Sequence, residues 1–296
     1  MRQTIFRGIA TALATPMSLD GAIDYDAYGR LIDWQIESGV AALVACGTTG
    51  ESATMTEAEH RQVISFTVRR AAGRVPVIAG TGGNCTAKAV AMAQFAGEAG
   101  ADACLCVTPY YNKATQPGLV AHFTAIAEQS RLPIILYNVP SRTGCNLLPE
   151  TCRILAEHPN IAAVKEASGN ISQVVELAAL TRGKLDLYSG NDDQIVPLLA
   201  MGGQGCISVL SNVAPKEAVA LCDRFFAGDV AGAAELQCRL LPLIQALFCQ
   251  VNPIPVKAAL TALGFGAGGI RLPLTPLEPA CRQRLLQELR VWRADL

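Results

Sequence analysis

The sequence predicts an α/β fold, a (β/α)8 TIM barrel with a C-terminal helical extension. Eight short apolar segments recur at intervals of roughly 25 to 35 residues, and an amphipathic segment follows each of them. Several segments, such as IILYN at 134–138, are apolar on both faces, which is typical of a parallel sheet covered by helices. A chain of 296 residues is long enough for one such barrel and an addition.

The predicted strands are apolar, β-branched runs that end at or next to Gly, Thr, Pro or Asn. In chain order they span residues 8–15, 41–46, 76–80, 103–108, 133–138, 161–166, 185–190 and 205–210. The segments between them carry apolar residues at helical spacing, which predicts helices over residues 26–38, 57–72, 86–99, 117–129, 148–157, 171–181, 194–201 and 216–226.

Three further helices are predicted beyond the eighth repeat, over residues 231–250, 255–263 and 276–293. We therefore expect a catalytic barrel over residues 1–226 and a helical extension over residues 227–296 that buries extra surface. A doubly wound open sheet is the alternative architecture. It would need a Gly-rich phosphate loop after the first strand, and ALATPMSLDG is not such a loop.

The composition indicates a globular protein that acts on a small substrate. Hydrophobic residues make up 51% of the chain, charged residues make up 17%, and the formal net charge is -1. These values exclude a disordered chain. Because the charge is balanced and no run of Lys or Arg occurs, nucleic acid is not the expected partner.

The sequence also predicts a cytoplasmic protein without a metal. No signal peptide or membrane-spanning segment is recognisable. The eleven cysteines are scattered through apolar segments, which favours reduced thiols over a disulfide framework. The three histidines have no metal-ligand neighbours, and the Cys104 and Cys106 pair lacks a second pair, so we expect no metal site.

Chemistry in such a barrel lies where the strands end, and the second strand ends in the turn Gly47-Thr48-Thr49-Gly50-Glu51. Two glycines flanking two hydroxyl side chains can form an anion-binding nest for a small carboxylate or phosphate. The alternative is a Gly-rich turn whose threonines only cap the following helix. The sequence favours these two readings about equally.

Lys165 lies inside the apolar sixth strand, in AAVKEAS. An ammonium group at such a position must either pair with a carboxylate or lose its proton. A neutral lysine is a nucleophile toward carbonyl carbon, so the position predicts Schiff-base catalysis. The alternative is a core lysine paired with Glu51 or Glu166.

Two further side chains lie at the end of the fifth strand or in the loop after it. Tyr137 is expected on the neighbouring strand at the height of Lys165, where a phenol could move protons during imine formation. Its alternative role is an aromatic plug whose hydroxyl bonds to the backbone. Arg142, in a loop fixed by Pro and Gly, could bind a second carboxylate, although a lone loop arginine is more often a solvated surface charge.

Five motifs, taken together and in order, resemble the dihydrodipicolinate synthase family over essentially the whole chain. They are GTTGES at 47–52, TPYYNK at 108–113, YNVPSRTG at 137–144, KEASGN at 165–170 and NPIPVK at 252–257. The resemblance implies condensation of pyruvate with L-aspartate 4-semialdehyde in diaminopimelate and lysine biosynthesis. Other pyruvate-dependent aldolases or lyases, such as sugar-acid aldolases and N-acetylneuraminate lyase, remain the nearest alternative. A non-catalytic barrel that binds a keto acid is a more distant one.

The resemblance also implies roles for individual residues. Lys165 would form the imine with pyruvate and Tyr137 would be the general acid/base, with no external cofactor. Thr48 and Tyr111 would complete a hydroxyl relay, Tyr111 coming from a neighbouring subunit of a homotetramer built as a dimer of dimers. The substrate-binding positions would be Thr49 for the pyruvate carboxylate, Arg142 for the carboxylate of the semialdehyde, and the backbone at Gly190 and Ile207.

Lysine-inhibited members of the family have an allosteric pocket at the tight-dimer interface. The matching positions here are Ser52, Ala53, His60, Asn84, Lys88 and Tyr110. In those members the position of Lys88 is a glutamate that binds the ammonium group of the inhibitor. Because this chain has a cation there, we expect weak or no inhibition by L-lysine.

Overall fold

A computed structural model describes residues 4–293 of the chain. Eight parallel strands form a closed barrel in chain order, and the last strand pairs with the first. The strands are β1 (Gly8–Ala12), β2 (Ala42–Ala45), β3 (Val77–Gly80), β4 (Ala103–Val107), β5 (Ile134–Asn138), β6 (Ile161–Glu166), β7 (Asp186–Ser189) and β8 (Gly205–Ser208). The predicted (β/α)8 barrel is therefore confirmed.

Helices surround the barrel and continue beyond it. They are α1 (Tyr25–Glu37), α2 (Glu57–Ala71), α3 (Thr86–Glu98), α4 (Gln116–Gln129), α5 (Pro140–Thr143), α6 (Pro149–Leu155), α7 (Ile171–Thr181), α8 (Ile195–Ala200), α9 (Pro215–Phe226), α10 (Val230–Leu247), α11 (Ile254–Ala262) and α12 (Pro279–Trp292). Short 3₁₀ turns occupy Ser52–Thr54, Asp192–Gln194 and Leu210–Asn212. Among the described residues, no helix is both long and apolar enough to cross a membrane.

Most element bounds agree with the sequence within a few residues, and two differences matter for the site. The first strand was expected to reach residue 15 but ends at Ala12, because the Asn212 side chain accepts a hydrogen bond from Ala14 N–H at 3.0 Å. The single turn α5 was not predicted. It begins at Pro140, which suits the first position of a helix, and ends before Gly144 in the left-handed conformation.

The core consists of two layers separated by the barrel wall. Ile135 and Tyr137 belong to the cluster inside the barrel, whereas Ile134 and Leu136 pack outward against the helices. The same alternation on β6 directs Ala163 inward and Val164 outward. Lys165, two residues after Ala163, therefore lies on the inner face.

The C-terminal helices pack on the barrel and return to its catalytic end. Helix α10 lies against α9 and α12, and its Gln237 donates a hydrogen bond to the carbonyl of Asp192 at 2.8 Å. The segment between α10 and α11 carries Asn252, which contacts the turn after β2. The division into residues 1–226 and 227–296 stays a prediction, and the site described below uses residues from both parts.

Candidate active site

Lys165 and Tyr137 meet inside the barrel at the carboxyl ends of β6 and β5. They are register partners on the two strands, and Lys165 Nζ lies 4.3 Å from the centre of the Tyr137 ring. Both side chains are buried. The hydroxyl of Tyr137 makes no hydrogen bond within residues 4–293, so its predicted alternative as a plug bonded to the backbone is wrong.

The two carboxylates proposed as alternative partners of Lys165 are engaged elsewhere. Glu166 points out of the barrel and accepts hydrogen bonds from Asn138 Nδ2 at 3.0 Å and from Ser168 N–H at 2.6 Å. Glu51 forms a buried ion pair with Lys257. No carboxylate of the described residues forms an ion pair with Lys165, so the interpretation as a paired core lysine is wrong.

Asp192, a buried acid that the sequence did not single out, follows β7. Its carboxylate accepts hydrogen bonds from the backbone N–H of Val209 at 3.0 Å and of Leu210 at 2.9 Å. Burial raises the pKa of Asp192, while these hydrogen bonds, one from Ser208 and the positive charge of Lys165 act to lower it. The acid therefore contributes to the field at Lys165 without contacting its ammonium group. Its signal was the Gly-Asn-Asp-Asp sequence at the end of a strand.

The turn after β2 is folded on itself, and the hydroxyl groups of Thr48 and Thr49 donate no hydrogen bond among the described residues. Gly50 N–H donates to Gly47 O and Glu51 N–H donates to Thr48 O, each at 3.1 Å. Helix α2 is capped by Thr56 in a capping box with Glu59, so the alternative in which Thr48 and Thr49 cap that helix is wrong.

Thr49 is buried beside this turn, and its Oγ1 accepts a hydrogen bond from Asn252 Nδ2 at 3.0 Å. The hydroxyl proton of Thr49 makes no hydrogen bond among the described residues. It is available to an acceptor in the barrel mouth, as a carboxylate-binding side chain requires.

Arg142 lies on α5 at the rim of the barrel. Its guanidinium donates a hydrogen bond from Nη2 to the carbonyl of Asn252 at 3.2 Å, while the rest of the side chain is exposed. Helix α5 is held by Thr143, whose hydroxyl donates to Cys145 O at 2.9 Å and accepts from Thr108 at 3.2 Å. Arg142 is therefore a positioned cation with free donors, and not a freely solvated side chain.

Gly190 lies next to Lys165, and Ile207 lines the interior of the barrel. The N–H of Gly190 donates to Glu166 O at 2.7 Å. A Cβ atom at Gly190 would lie 2.6 Å from Ala167 Cβ and 3.0 Å from Lys165 Cε, so glycine leaves the space in which the lysine chain lies. Ile207 is buried on β8 within the inner cluster.

Comparison with known proteins agrees with this arrangement. The sequence matches the Dihydrodipicolinate synthetase family over residues 5–291. The chain belongs to this family. A curated 4-hydroxy-tetrahydrodipicolinate synthase from Lachnoclostridium phytofermentans is 52% identical over 287 residues, covering 97% of this chain and 98% of that protein.

Solved structures of the dihydrodipicolinate synthetase family superpose on the whole fold. The Acinetobacter baumannii dihydrodipicolinate synthase complexed with pyruvate is 46% identical, with a TM-score of 0.95 over 97% of this chain and 98% of that chain. The enzyme from Cyanidioschyzon merolae with lysine bound is 41% identical, with a TM-score of 0.95 over 99% and 100% of the two chains.

Tyr111, the third hydroxyl of the predicted relay, is not brought to Lys165 within this chain. Its side chain is 91% exposed, and its backbone has a φ of 71° in the left-handed region. A non-glycine residue in this conformation is uncommon, and such strain is concentrated at functional positions. The role in a neighbouring subunit's site that the resemblance implies for Tyr111 stays a prediction.

The six positions of the family's allosteric pocket lie in the loops after β2, β3 and β4 and on the helices that follow. Asn84 Nδ2 donates to Tyr110 O at 3.3 Å, which joins two of them. The ring of His60 contacts Gly80 O at 2.7 Å through Nε2, and burial lowers its pKa. Ser52 and Ala53 lie in the 3₁₀ turn after β2, and Lys88 is exposed in the first turn of α3.

Asn252 and Lys257 are the functional candidates that sequence analysis missed. Both lie in the motif NPIPVK, which contributed to the family resemblance but received no role. Lys257 pairs with Glu51, and both side chains are almost fully buried. Burial lowers the pKa of Lys257, and the charge of Glu51 acts to raise it. A lysine in an apolar segment was the available signal.

Proposed function

We propose that this chain is a Schiff-base-forming lyase that condenses pyruvate with L-aspartate 4-semialdehyde, the 4-hydroxy-tetrahydrodipicolinate synthase reaction of diaminopimelate and lysine biosynthesis. The observation that carries the proposal is a buried Lys165 that forms no ion pair within residues 4–293 and lies beside the Tyr137 ring. Curated relatives of about half identity carry the name of this activity, and a related structure is complexed with pyruvate.

The chemistry begins at Lys165. Its neutral amine attacks the keto carbon of pyruvate, and the carbinolamine loses water to give a protonated imine. Tyr137 moves the protons that these two steps require. The imine withdraws electrons from the methyl group, which loses a proton to give an enamine, so no external cofactor is needed.

The second half of the reaction forms the product ring. The enamine carbon attacks the aldehyde carbon of aspartate semialdehyde, and the aldehyde oxygen takes a proton. The amine of the semialdehyde then attacks the imine carbon, and the Lys165 amine leaves. Lys165 is thereby regenerated. The condensation releases one water in total, which carries the keto oxygen of pyruvate and leaves when the imine forms.

The two substrate carboxylates have separate binding groups in this proposal. Thr49 offers its hydroxyl proton to the pyruvate carboxylate, and Arg142 offers its free guanidinium donors to the semialdehyde. The backbone at Gly190 and Ile207 lines the cavity. Thr48 and a neighbouring subunit's tyrosine, equivalent to Tyr111, extend the relay from Tyr137.

The proposed assembly is a homotetramer, a dimer of dimers. One contact would use Tyr111, which is 91% exposed. The other would use an apolar surface on the neighbouring helices α7, α8 and α10, where Val175 and Leu241 and, directly after α8, Met201 are exposed. We also propose a cytoplasmic location, which is supported by eleven cysteines that are all free thiols.

Reduction with borohydride in the presence of pyruvate tests the imine. Peptide mass spectrometry should find the reduced adduct on Lys165, and Lys165→Ala should abolish it. An adduct on Lys113 or Lys257 would contradict the assignment. An assay with purified aspartate semialdehyde then separates this synthase from a sugar-acid aldolase, which would use pyruvate with a sugar aldehyde instead.

A further inference from the structure

Asn252, which lies outside the barrel repeats, contacts both residues proposed to bind substrate carboxylates. Its side-chain Nδ2 donates to Thr49 Oγ1 at 3.0 Å, and its backbone carbonyl accepts from Arg142 Nη2 at 3.2 Å. The residue is 5% exposed; its hydrogen bond to Thr49 is buried, and its hydrogen bond to the exposed Arg142 is partly buried. One residue of the C-terminal segment therefore joins the two halves of the substrate site through two different atoms.

The bond to Thr49 determines what that hydroxyl can do. A threonine hydroxyl has one proton to donate and lone pairs that accept. Because the Asn252 amide N–H occupies a lone pair, the hydroxyl rotates so that its proton points elsewhere. Thr49 is buried and donates to no other acceptor among residues 4–293, so its proton is left for an incoming anion.

The other end of the same amide is unusual. Asn252 Oδ1 is buried and has no hydrogen-bond partner within the described part of the chain. A buried polar atom without a partner is costly to folding and calls for an explanation. In this orientation of the amide, Nδ2 bonds to Thr49, and Oδ1 has no partner among the described residues.

We infer that Asn252 is a positioning residue for the keto-acid substrate, which presents the Thr49 hydroxyl proton to the carboxylate of pyruvate. The inference rests on the proposed function. The side chain of Asn252 acts on pyruvate only. Arg142 donates to the backbone carbonyl of Asn252, and a substitution of the side chain retains that carbonyl. The C-terminal segment is therefore part of the pyruvate site as well as a cover for the barrel.

A double-mutant cycle on the full-length enzyme tests this role, with Asn252→Ala, Thr49→Val and the combined variant. The readout is the pyruvate concentration that gives half-maximal borohydride trapping. Asn252→Ala should raise it roughly tenfold, as expected when a hydrogen bond to a charged group is weakened. In the Thr49→Val background the same change should have little further effect. The half-saturating concentration of aspartate semialdehyde should change less than that of pyruvate.

Thr261→Val is the matched control, because it removes a 2.8 Å hydrogen bond to Lys257 O in the same C-terminal segment, away from Thr49. It should leave the pyruvate dependence unchanged. Asn252→Asp tests the direction of the bond, since a carboxylate must accept the Thr49 proton. This variant should raise the half-saturating pyruvate concentration more than Asn252→Ala does. If the melting temperature of Asn252→Ala or Asn252→Asp is far below that of the wild type, the other variant is used for the comparison.

Additive effects in the cycle would overturn the inference, because a purely structural Asn252 would act equally in both backgrounds. An unchanged pyruvate dependence in Asn252→Ala and Asn252→Asp would overturn it as well. Either result leaves the proposed function standing if the wild type forms the Lys165 adduct and consumes both substrates. Failure of the wild type in those two assays would instead contradict the proposed function itself.

Discussion

Lys165 Nζ lies 4.3 Å from the centre of the Tyr137 ring, on register partners of adjacent strands. The flank of the lysine on β7 is formed by Tyr188, whose hydroxyl donates to Phe6 O at 2.8 Å. Of these two tyrosines, only Tyr137 has a hydroxyl without a hydrogen bond among the described residues. Lys165 therefore has two neighbouring phenols. The hydroxyl of Tyr137 is available for proton transfer, and the hydroxyl of Tyr188 is bound to the backbone of Phe6.

We expect Tyr137→Phe to lower kcat on the order of 10²-fold, because the ring stays against Lys165 while the acid/base is lost. Thr48→Val and Tyr111→Phe should act in the same direction. Tyr188→Phe is the matched control, because it removes the hydroxyl group from the other tyrosine beside Lys165. It should lower the free energy of unfolding and leave kcat nearly unchanged. Full activity of Tyr137→Phe in steady-state assays would remove this tyrosine from the mechanism.

Arg142→Ala should impair the use of aspartate semialdehyde far more than imine formation with pyruvate. A guanidinium-carboxylate contact worth roughly 1.5–3 kcal/mol would be lost at one substrate only. The half-saturating concentrations of the two substrates, measured separately, check this expectation. An equal loss for both substrates would mean that Arg142 organises the whole mouth through its bond to Asn252.

Gly190→Ala should slow imine formation, because the added Cβ would lie 2.6 Å from Ala167 Cβ and 3.0 Å from Lys165 Cε. One of these groups must move, and the lysine chain is the more flexible. The rate of trapping at saturating pyruvate measures the effect. Gly83→Ala is the control, since a Cβ there meets no atom within 4 Å. A normal trapping rate in Gly190→Ala would show that Lys165 does not need this space.

The buried ion pair of Glu51 and Lys257 predicts an asymmetric effect on stability. Lys257→Met leaves a carboxylate buried without its partner and should cost roughly 3–5 kcal/mol of unfolding free energy. Combining it with Glu51→Gln should recover part of that loss in denaturant titrations. By contrast, Glu150→Gln at the exposed pair with Arg153 should change stability by less than about 1 kcal/mol. Equal losses at the two pairs would contradict the prediction.

These relationships show which parts of the site could be predicted from sequence. The position of Lys165 beside Tyr137 follows from strand alternation and from the alignment of the carboxyl ends of β5 and β6. The register irregularity between Ile134 and Ile135, which shifts this pairing by one residue, could not be predicted. The contacts of Asn252 with Thr49 and of Lys257 with Glu51 join residues 203 and 206 positions apart. No periodicity encodes such contacts, because they depend on how the C-terminal helices pack. The turn α5 was missed since four residues are too few to show a helical pattern.

We expect lysine sensitivity to depend on the charge at Lys88, which is exposed in the first turn of α3. A lysine inhibitor would meet an ammonium group and the positive end of the helix dipole there, where the resemblance implies a carboxylate in lysine-inhibited members. The Oδ1 atom of Asn84 is a neutral acceptor and attracts an ammonium group less strongly than a carboxylate does. We therefore expect weak or no inhibition when L-lysine is titrated at saturating pyruvate. Lys88→Glu should strengthen any response, while Lys216→Glu, the same reversal in the first turn of α9, should not. Clear inhibition of the unmodified enzyme at submillimolar L-lysine would contradict this prediction.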